Sequence, residues 1–374
     1  MRIPFMPVST LRVLTYNVYA GPPTPTSLAS TLDGSDRLRR QVDSIRELAP
    51  DVVCLQEIVS DGVREYYADH LADEYEASFV LTSHELRCKI GKIMRGALDH
   101  IGPQTTISGF IYGSVQSGLM VLHRRATLER TAPPHAISFS EQAGDLLNIF
   151  RPRGALCVPL QLRADGSPVV VTNTHANAES AQLSHLSHLD LPSVPEPSPY
   201  RSHQLTELFG HASGLAAGAR VVVCGDLNSA PDLGEIPFAQ HGFVDATAPS
   251  GSSPLGGRSG GAAAGRPLSW DGTRNPLVSQ GWFSAGDTAR TQLDYIFTSE
   301  GSGLVPLESR LALDSEPWLS DHFGVLTRFR VGAFSPRRAA AAARRHARAA
   351  MPERRQLRRQ QLQQPPDLDV SWGI

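Results

Sequence analysis

The chain has 374 residues, of which 41% are hydrophobic and 19% charged, a balance that supports a sizeable buried core and excludes wholesale disorder. No apolar run approaches the ~18 residues of a membrane-spanning helix, and Met1 to Leu11 holds no apolar block of signal-peptide length, so neither membrane insertion nor secretion is expected. The net charge of −2 is uneven: from Arg337 onward nine Arg face three acidic residues, so that end carries +6 and residues 1–336 carry −8. An acidic body argues against a general polyanion binder, whereas the basic end suits an anionic membrane or nucleic acid.

In chain order, residues 11–18 alternate and are rich in β-formers, which predicts a strand. Residues 35–48 place Leu38, Val42, Ile45 and Leu48 at helical spacing, with Ser35 as a cap and Pro50 beyond the end. A second strand is predicted over 51–58. Further strands are predicted over 117–124, 154–162, 167–175, 220–228, 291–299 and 323–331, with a helix over 201–213. Residues 183–200 and 249–267 read as loops, and 333–374 as a basic, solvated or disordered tail after a domain spanning 8–332. Short apolar strands with few helices between them suggest two packed sheets flanked by helices, an α/β class. Of the four cysteines, Cys54, Cys157 and Cys224 lie in apolar runs, where a thiol behaves as a small hydrophobe. None forms a Cys-x-x-Cys pair with another or with Cys88, so no zinc site is expected. A reducing, cytoplasmic-type compartment is the simpler reading.

Polar residues recur where the apolar strands end. Asn17 ends the first; Gln56 and Glu57 close the second; Asn173 and His175, then Asp226 and Asn228, close two later ones. Asp294 lies inside a strand, and Asp321 and His322 precede the last. Charge in such apolar contexts is costly unless paired or metal-bound, and strand ends of α/β folds are where ligand sites gather.

The segments TYNV (15–18), LQEI (55–58), TNTHA (172–176), GDLNSAP (225–231), LDYIF (293–297) and LSDHFGV (319–325) occur in an order that resembles the endonuclease/exonuclease/phosphatase superfamily, with its deoxyribonuclease-I-like fold. They span residues 11–331. The resemblance implies a four-layer α/β/β/α sandwich. The flanking stretches NVYA, SGLMVLHR, RSHQLTEL and WDGTRNP (270–276) look most like neutral sphingomyelinases, although Tyr19 stands where those enzymes have Trp and the second His of their THLHA stretch is missing.

What the resemblance implies is metal-dependent phosphodiester hydrolysis. A phosphodiester repels hydroxide, so a hard cation must neutralise its oxygens. Glu57, Asn17 and Asp321 are the expected metal ligands, with Mg²⁺ preferred and Mn²⁺ as a substitute. His322 is the expected base, oriented by Asp294. Asp226 and Asn228 would position the attacking water or the phosphate, and His175 would donate to a non-bridging oxygen, helped by Asn173. Tyr19, Asp145 and Arg153 are candidate substrate contacts. The implied substrate is sphingomyelin or a related choline phospholipid, reached through peripheral membrane contact to which Trp282, Phe283 and the Arg-rich end could add. The rival readings are a nuclease or deadenylase on the same scaffold, a phosphomonoesterase, and an inactive lipid-binding protein.

Overall fold

Along Thr10–Asn17 (β1), Leu11 and Val13 point to one side and Leu14 and Tyr16 to the other, and all four are buried. A strand buried on both faces requires cover on both sides of its sheet. The computed structural model describes residues 10–19, 34–58, 60–81, 118–140, 153–178, 197–249, 265–279 and 288–349. In it β1 joins a six-stranded sheet with β2 (Val52–Gln56), β3 (Tyr75–Ser78), β4 (Met120–Arg124), β14 (Leu304–Ala312) and β15 (Gly324–Val331), in the order β14-β15-β1-β2-β4-β3. The second sheet runs β10-β13-β9-β8-β7-β5, from Phe243–Asp245 (β10), Asp294–Ser299 (β13), Arg220–Asp226 (β9), Pro168–His175 (β8), Gly154–Leu162 (β7) and Leu128–Arg130 (β5). His135–Ser138 (β6) also pairs with β7. A small ribbon joins Trp270–Asp271 (β11) to Arg290–Thr291 (β12).

Three apolar cores define the layers. Between the sheets lie Val13, Val52, Val121, Val158, Val171, Val222, Ile296 and Phe329. The outer face of the first sheet is covered by Gly34–Leu48 (α1) and Asp61–His70 (α2) through Val42, Ile45 and Tyr67. The outer face of the second is covered by Pro199–Leu215 (α3) through Leu205, Leu208, Phe209 and Ala212. The result is the expected α/β/β/α sandwich. Cys54 and Cys224 face each other across the central core with their Sγ atoms 2.9 Å apart, and burial pushes the Cys54 thiol pKa well up, so it stays protonated.

The three buried cysteines expected in strands are there as free thiols. Predicted strand 154–162 matches β7 residue for residue; the others differ at their ends by a few residues. The elements absent from the sequence reading are polar or very short. Edge strand β14 carries Pro306, Glu308, Ser309 and Arg310, and much of it is solvent-facing, so it lacks a clean apolar alternation. Within the end read as a tail, Pro336–Ala349 forms a docked helix (α4): Ala339 and Ala342 are buried, Ala339 packs against Gly301, and His346 Nε2 lies 3.1 Å from Glu300 Oε2. Alanine has the best helix propensity, and its small side chain lets the helix approach the sheet edge. Residues 350–374 lie outside the described residues, as do most of the two predicted loops. Among the described residues no helix is long and apolar enough to cross a membrane.

A buried ion pair fixes the start of α3. Arg201 is fully buried and its Nε donates to Glu235 Oε2 at 2.7 Å; that oxygen also accepts from Ser229 Oγ, and Glu235 Oε1 accepts from the Ser198 N–H. The clamp ties the α3 cap to the turn after β9. Removing one partner strands a buried charge, which costs about 3–5 kcal/mol. Arg201→Met is expected to lose about that much stability by urea unfolding, and a loss under about 1 kcal/mol would show that the pair is not the clamp described.

Candidate functional site

Each sheet has one parallel pair at its centre, β1 with β2 and β8 with β9. The strands beside them, β15 and β13, run antiparallel to β1 and β9. The ends of the parallel strands and the beginnings of their antiparallel neighbours therefore lie on the same rim. Side-chain alternation then selects which residues turn inward. Val13 and Asn17, Val171 and His175, Val222 and Asp226, and Ile296 and Asp294 each share a face with the central core, so the chain places polar groups at the wet end of otherwise apolar rows.

These groups meet. Asn17 Nδ2 donates to Glu57 Oε1 and to Asp226 Oδ2, both at 3.1 Å, and so links the two sheets. Asp226 Oδ2 also lies 3.4 Å from His175 Nε2 and 3.7 Å from His322 Nε2. His322 Nδ1 is 2.8 Å from Asp294 Oδ2. Asp226, Asp294 and His322 present ligand atoms within 4.8 Å of one another, all buried. Asp226 Oδ1 accepts the Asn228 N–H at 2.9 Å, and Asn228 Nδ2 donates to Ala176 O, tying the turn after β9 to the turn after β8.

The electrostatics follow from burying like charges together. Burial, then Asp294, pushes Asp226 up to about 7 against the pull of His322. Burial, then Glu57, pushes Asp321 up to about 6. Burial opposes charge on His322 too, but Asp294 and Asp226 outweigh it and hold its pKa well above the usual imidazole value. His175 goes the other way: burial, then Arg153 and His322, hold it well below that value and keep it neutral. The Oδ1 atom of Asp294 is buried and lacks a hydrogen-bond partner among the described residues.

Of the residues singled out from sequence, Asn17, Glu57, His175, Asp226, Asn228, Asp294, Asp321 and His322 converge on this rim. Asn173, expected to help His175, lies on the same strand face as that residue. It sits one alternation deeper, where it accepts from Gln56 Nε2 at 2.7 Å and donates to Leu55 O and Met120 O, so all its polar atoms are spent on joining the sheets. Tyr19 lies at the rim; its N–H donates to Asn17 Oδ1 and the Arg37 guanidinium sits 5.7 Å from its ring centroid. Arg153 immediately precedes β7 and acts electrostatically on His175. Asp145, Trp282 and Phe283 lie outside the described residues.

Several residues that the sequence reading did not assign hold the site together. Ser320 Oγ donates to Asn17 O at 2.7 Å and accepts the His322 N–H. Ser269 Oγ accepts the N–H groups of Leu293 and Asp294. Asn275 Nδ2 donates to the carbonyls of Ser320 and Asp321. Trp270 packs edge to face on His322, ring centroids 5.0 Å apart. Gln41 of α1 donates to Leu319 O and Val18 O. Ser320 and Asn275 stand inside the LSDHFGV and WDGTRNP segments, which were visible as motifs; Gln41 carries no motif signal.

A search of the curated proteins finds no match. Among solved structures, D. rerio TDP2 complexed with a single-strand DNA product superposes with a TM-score of 0.56 at 17% identity, over 86% of this chain and 99% of that one. The human nocturnin catalytic domain with bound sulfate gives 0.54 at 17%, over 87% and 94%. ANGEL2, described as a 2',3'-cyclic phosphatase, gives 0.50 at 16%, over 86% and 95%. At such identities the likeness establishes the shared fold, and these neighbours are not sphingomyelinases. The model of the Endonuclease/Exonuclease/phosphatase family matches residues 14–322, most of the chain and every residue named at the rim, and the protein belongs to that family.

Proposed function

We propose that the protein is a divalent-metal-dependent phosphodiester hydrolase acting on a nucleic acid strand, with Mg²⁺ as the working ion. The observation that carries this reading is the crowding of Glu57, Asp226, Asp294 and Asp321 around Asn17 and two histidines. Carboxylates raised to about 7 and about 6 by burial and mutual repulsion are a donor set short of positive charge, and hard oxygen donors suit Mg²⁺ or Mn²⁺. Glu57, Asn17 and Asp321 would hold the ion, which supplies charge neutralisation at the phosphoryl and leaving-group oxygens. The strand substrate is supported by the DNA product in the TDP2 complex and the cyclic phosphate substrate in the description of ANGEL2.

The side chains then divide the work. Asp294 accepts the Nδ1 proton of His322 and directs Nε2 toward Asp226; the carboxylates that hold the imidazole pKa high would be offset by the bound cation, so that Nε2 can accept a proton. A water beside Asp226 and Nε2 would give one proton to Nε2 as its oxygen attacks phosphorus, while the bond from phosphorus to the leaving oxygen breaks and that oxygen takes up a proton from solvent. His175, neutral, offers a hydrogen bond to a non-bridging oxygen, and Arg153 stands behind it as a cation for the phosphate.

A second reading, sphingomyelin cleavage releasing phosphocholine, is favoured by the WDGTRNP stretch, because its Trp270 lies against His322 and is an apolar wall next to the reaction centre. A panel separates the two: a short single-stranded DNA or RNA oligomer, sphingomyelin in mixed micelles, and a phosphomonoester, each with Mg²⁺ or with EDTA. Oligomer cleavage that stops with EDTA, returns with Mg²⁺ and is lost in Glu57→Ala is the expected result. Phosphocholine release alone would move the substrate to the lipid, monoester turnover alone would move it to a phosphatase, and turnover indifferent to EDTA would overturn the metal role.

The histidine pair makes its own prediction. His322→Ala is expected to lower kcat by roughly 10²–10⁴-fold, the range of a lost general base. Asp294→Asn, which keeps the shape but disturbs the tautomer, should lose roughly 10–100-fold. Unchanged single-turnover rates in His322→Ala would remove it from the chemistry.

A further inference from the structure

Away from the reaction rim, a second group of ligating side chains converges on the outer face of the second sheet. His135 of β6 pairs in register with Cys157 of β7, so their side chains rise together from one sheet face. Leu156 and Val158 point into the central core; by alternation Cys157 turns the other way, toward the helix layer, and its Sγ lies 3.6 Å from Thr172 Oγ1. His211 comes from α3, which covers that face. A nitrogen of each imidazole and the Cys157 sulfur all lie within 4.8 Å of one another. The two rings stand edge to face with centroids 6.2 Å apart. Cys157 is fully buried while both histidines are exposed.

Two imidazoles and a thiol are a different donor set from the oxygen-rich rim. They suit a borderline-soft, closed-shell cation in tetrahedral geometry, with three protein ligands and one position left for water. Bonds of roughly 2.0–2.3 Å need the ligand atoms somewhat closer than 4.8 Å, and rotation of two exposed rings closes that gap without moving the backbone. Protonation is compatible. Burial, then the neighbouring His135, holds His211 below the usual imidazole value, so its lone pair is available. Burial pushes the Cys157 thiol up to about 11, so it is protonated when no metal is present, and its proton passes to solvent as the metal–sulfur bond forms.

We propose that His135, Cys157 and His211 form a Zn²⁺ site that clips α3 to the β6–β7 edge of the second sheet, with water as the fourth ligand. The site has no sequence signature, because its ligands come from three separate elements and no Cys-x-x-Cys pair is involved. It departs from the expectation that the cysteine spacing leaves no place for zinc. The inference stands independently of the substrate reading above.

Cobalt distinguishes this site from the reaction rim, since only a thiolate ligand gives a sulfur-to-cobalt charge-transfer band. Metal-free full-length protein, kept anaerobic and in excess Mg²⁺, is titrated with Co²⁺ and then with Zn²⁺. The expected result is a charge-transfer band saturating at one Co²⁺ per chain, bleached by Zn²⁺, and absent in Cys157→Ser. His211→Ala, an exposed substitution that leaves the core intact, should lose the band or bind at least tenfold more weakly while keeping the wild-type circular dichroism. No band in the wild type would overturn the proposal, and so would a band that persists in both variants, which would place the metal on another cysteine.

Discussion

The whole arrangement turns on holding carboxylates together where water cannot screen them. Asp226 and Asp294 are buried, and Glu57 and Asp321 are half-buried beside them. An ionised carboxylate in such surroundings is costly unless donors and opposite charge meet it. Those donors are drawn from both sheets. Asn17, from the first sheet, donates across to Asp226 of the second, and Gln56 donates across to Asn173. The same bonds that make the acidic cluster tolerable therefore lock the register of one sheet against the other. Behind them, the apolar rows of the central core keep the sheets at the usual ~10 Å spacing, so the cross-sheet bonds have a fixed gap to span.

Backbone conformation serves the same end. Tyr19, Glu57 and Asn228 all adopt left-handed φ values, +46°, +60° and +50°, at roughly 1–2 kcal/mol each for a residue with a Cβ. Each lies just past a strand end, where a left-handed residue turns the chain away immediately after a functional side chain has been delivered. The strain is held by hydrogen bonds on either side: Val18 N to Gln56 O, Ile58 N to Gly118 O and Leu227 N to Leu293 O. With Ser320, Ser269 and Asn275 pinning the segments that carry Asp321, His322 and Asp294, the groups that the proposed function makes reactive would be positioned before substrate arrives, the condition for electrostatic catalysis.

What could be read from sequence, and what could not, follows from how local the signal is. The long buried strands β1, β7, β8 and β9 were legible because period-two or continuous apolar runs report burial directly. The rim residues were legible because a charge ending such a run has few structural uses. The surroundings of Asn173 were not legible because its strand-end position resembles that of His175, and only the packing of the two sheets shows that His175 reaches the rim while Asn173 bonds to Gln56, Leu55 and Met120. The docking of helix α4 was not legible because an Ala- and Arg-rich segment has no stripe of large apolar residues; it rests on small residues fitting beside Gly301. Gln41, and the trio of His135, Cys157 and His211, depend on tertiary neighbours brought from distant segments, and no spacing in the chain announces them.

Charge also bears on what kind of phosphoester can be held. The rim brings four carboxylates into one cluster, and the guanidinium groups beside it are Arg153 near His175 and Arg37 over the Tyr19 ring. A groove that tracks a long duplex gains its affinity from many Lys and Arg contacts to successive phosphates, whereas here the body of the chain carries a net −8. On the proposed function, attraction for phosphate would come from a bound cation and a few guanidiniums at a single phosphoester, which favours a strand end, a short oligomer or a lone head group over an extended polymer. On that argument salt should affect binding weakly, because few counterions are displaced per bound substrate, and specificity must rest on what packs around the one phosphate. Tyr19 lies beside Asn17 and Trp270 lies against His322, so on the proposed function these two aromatic surfaces would meet the group flanking the phosphate by stacking or apolar contact, while the carboxylates and His322 would carry the hydrolytic chemistry whatever that group is.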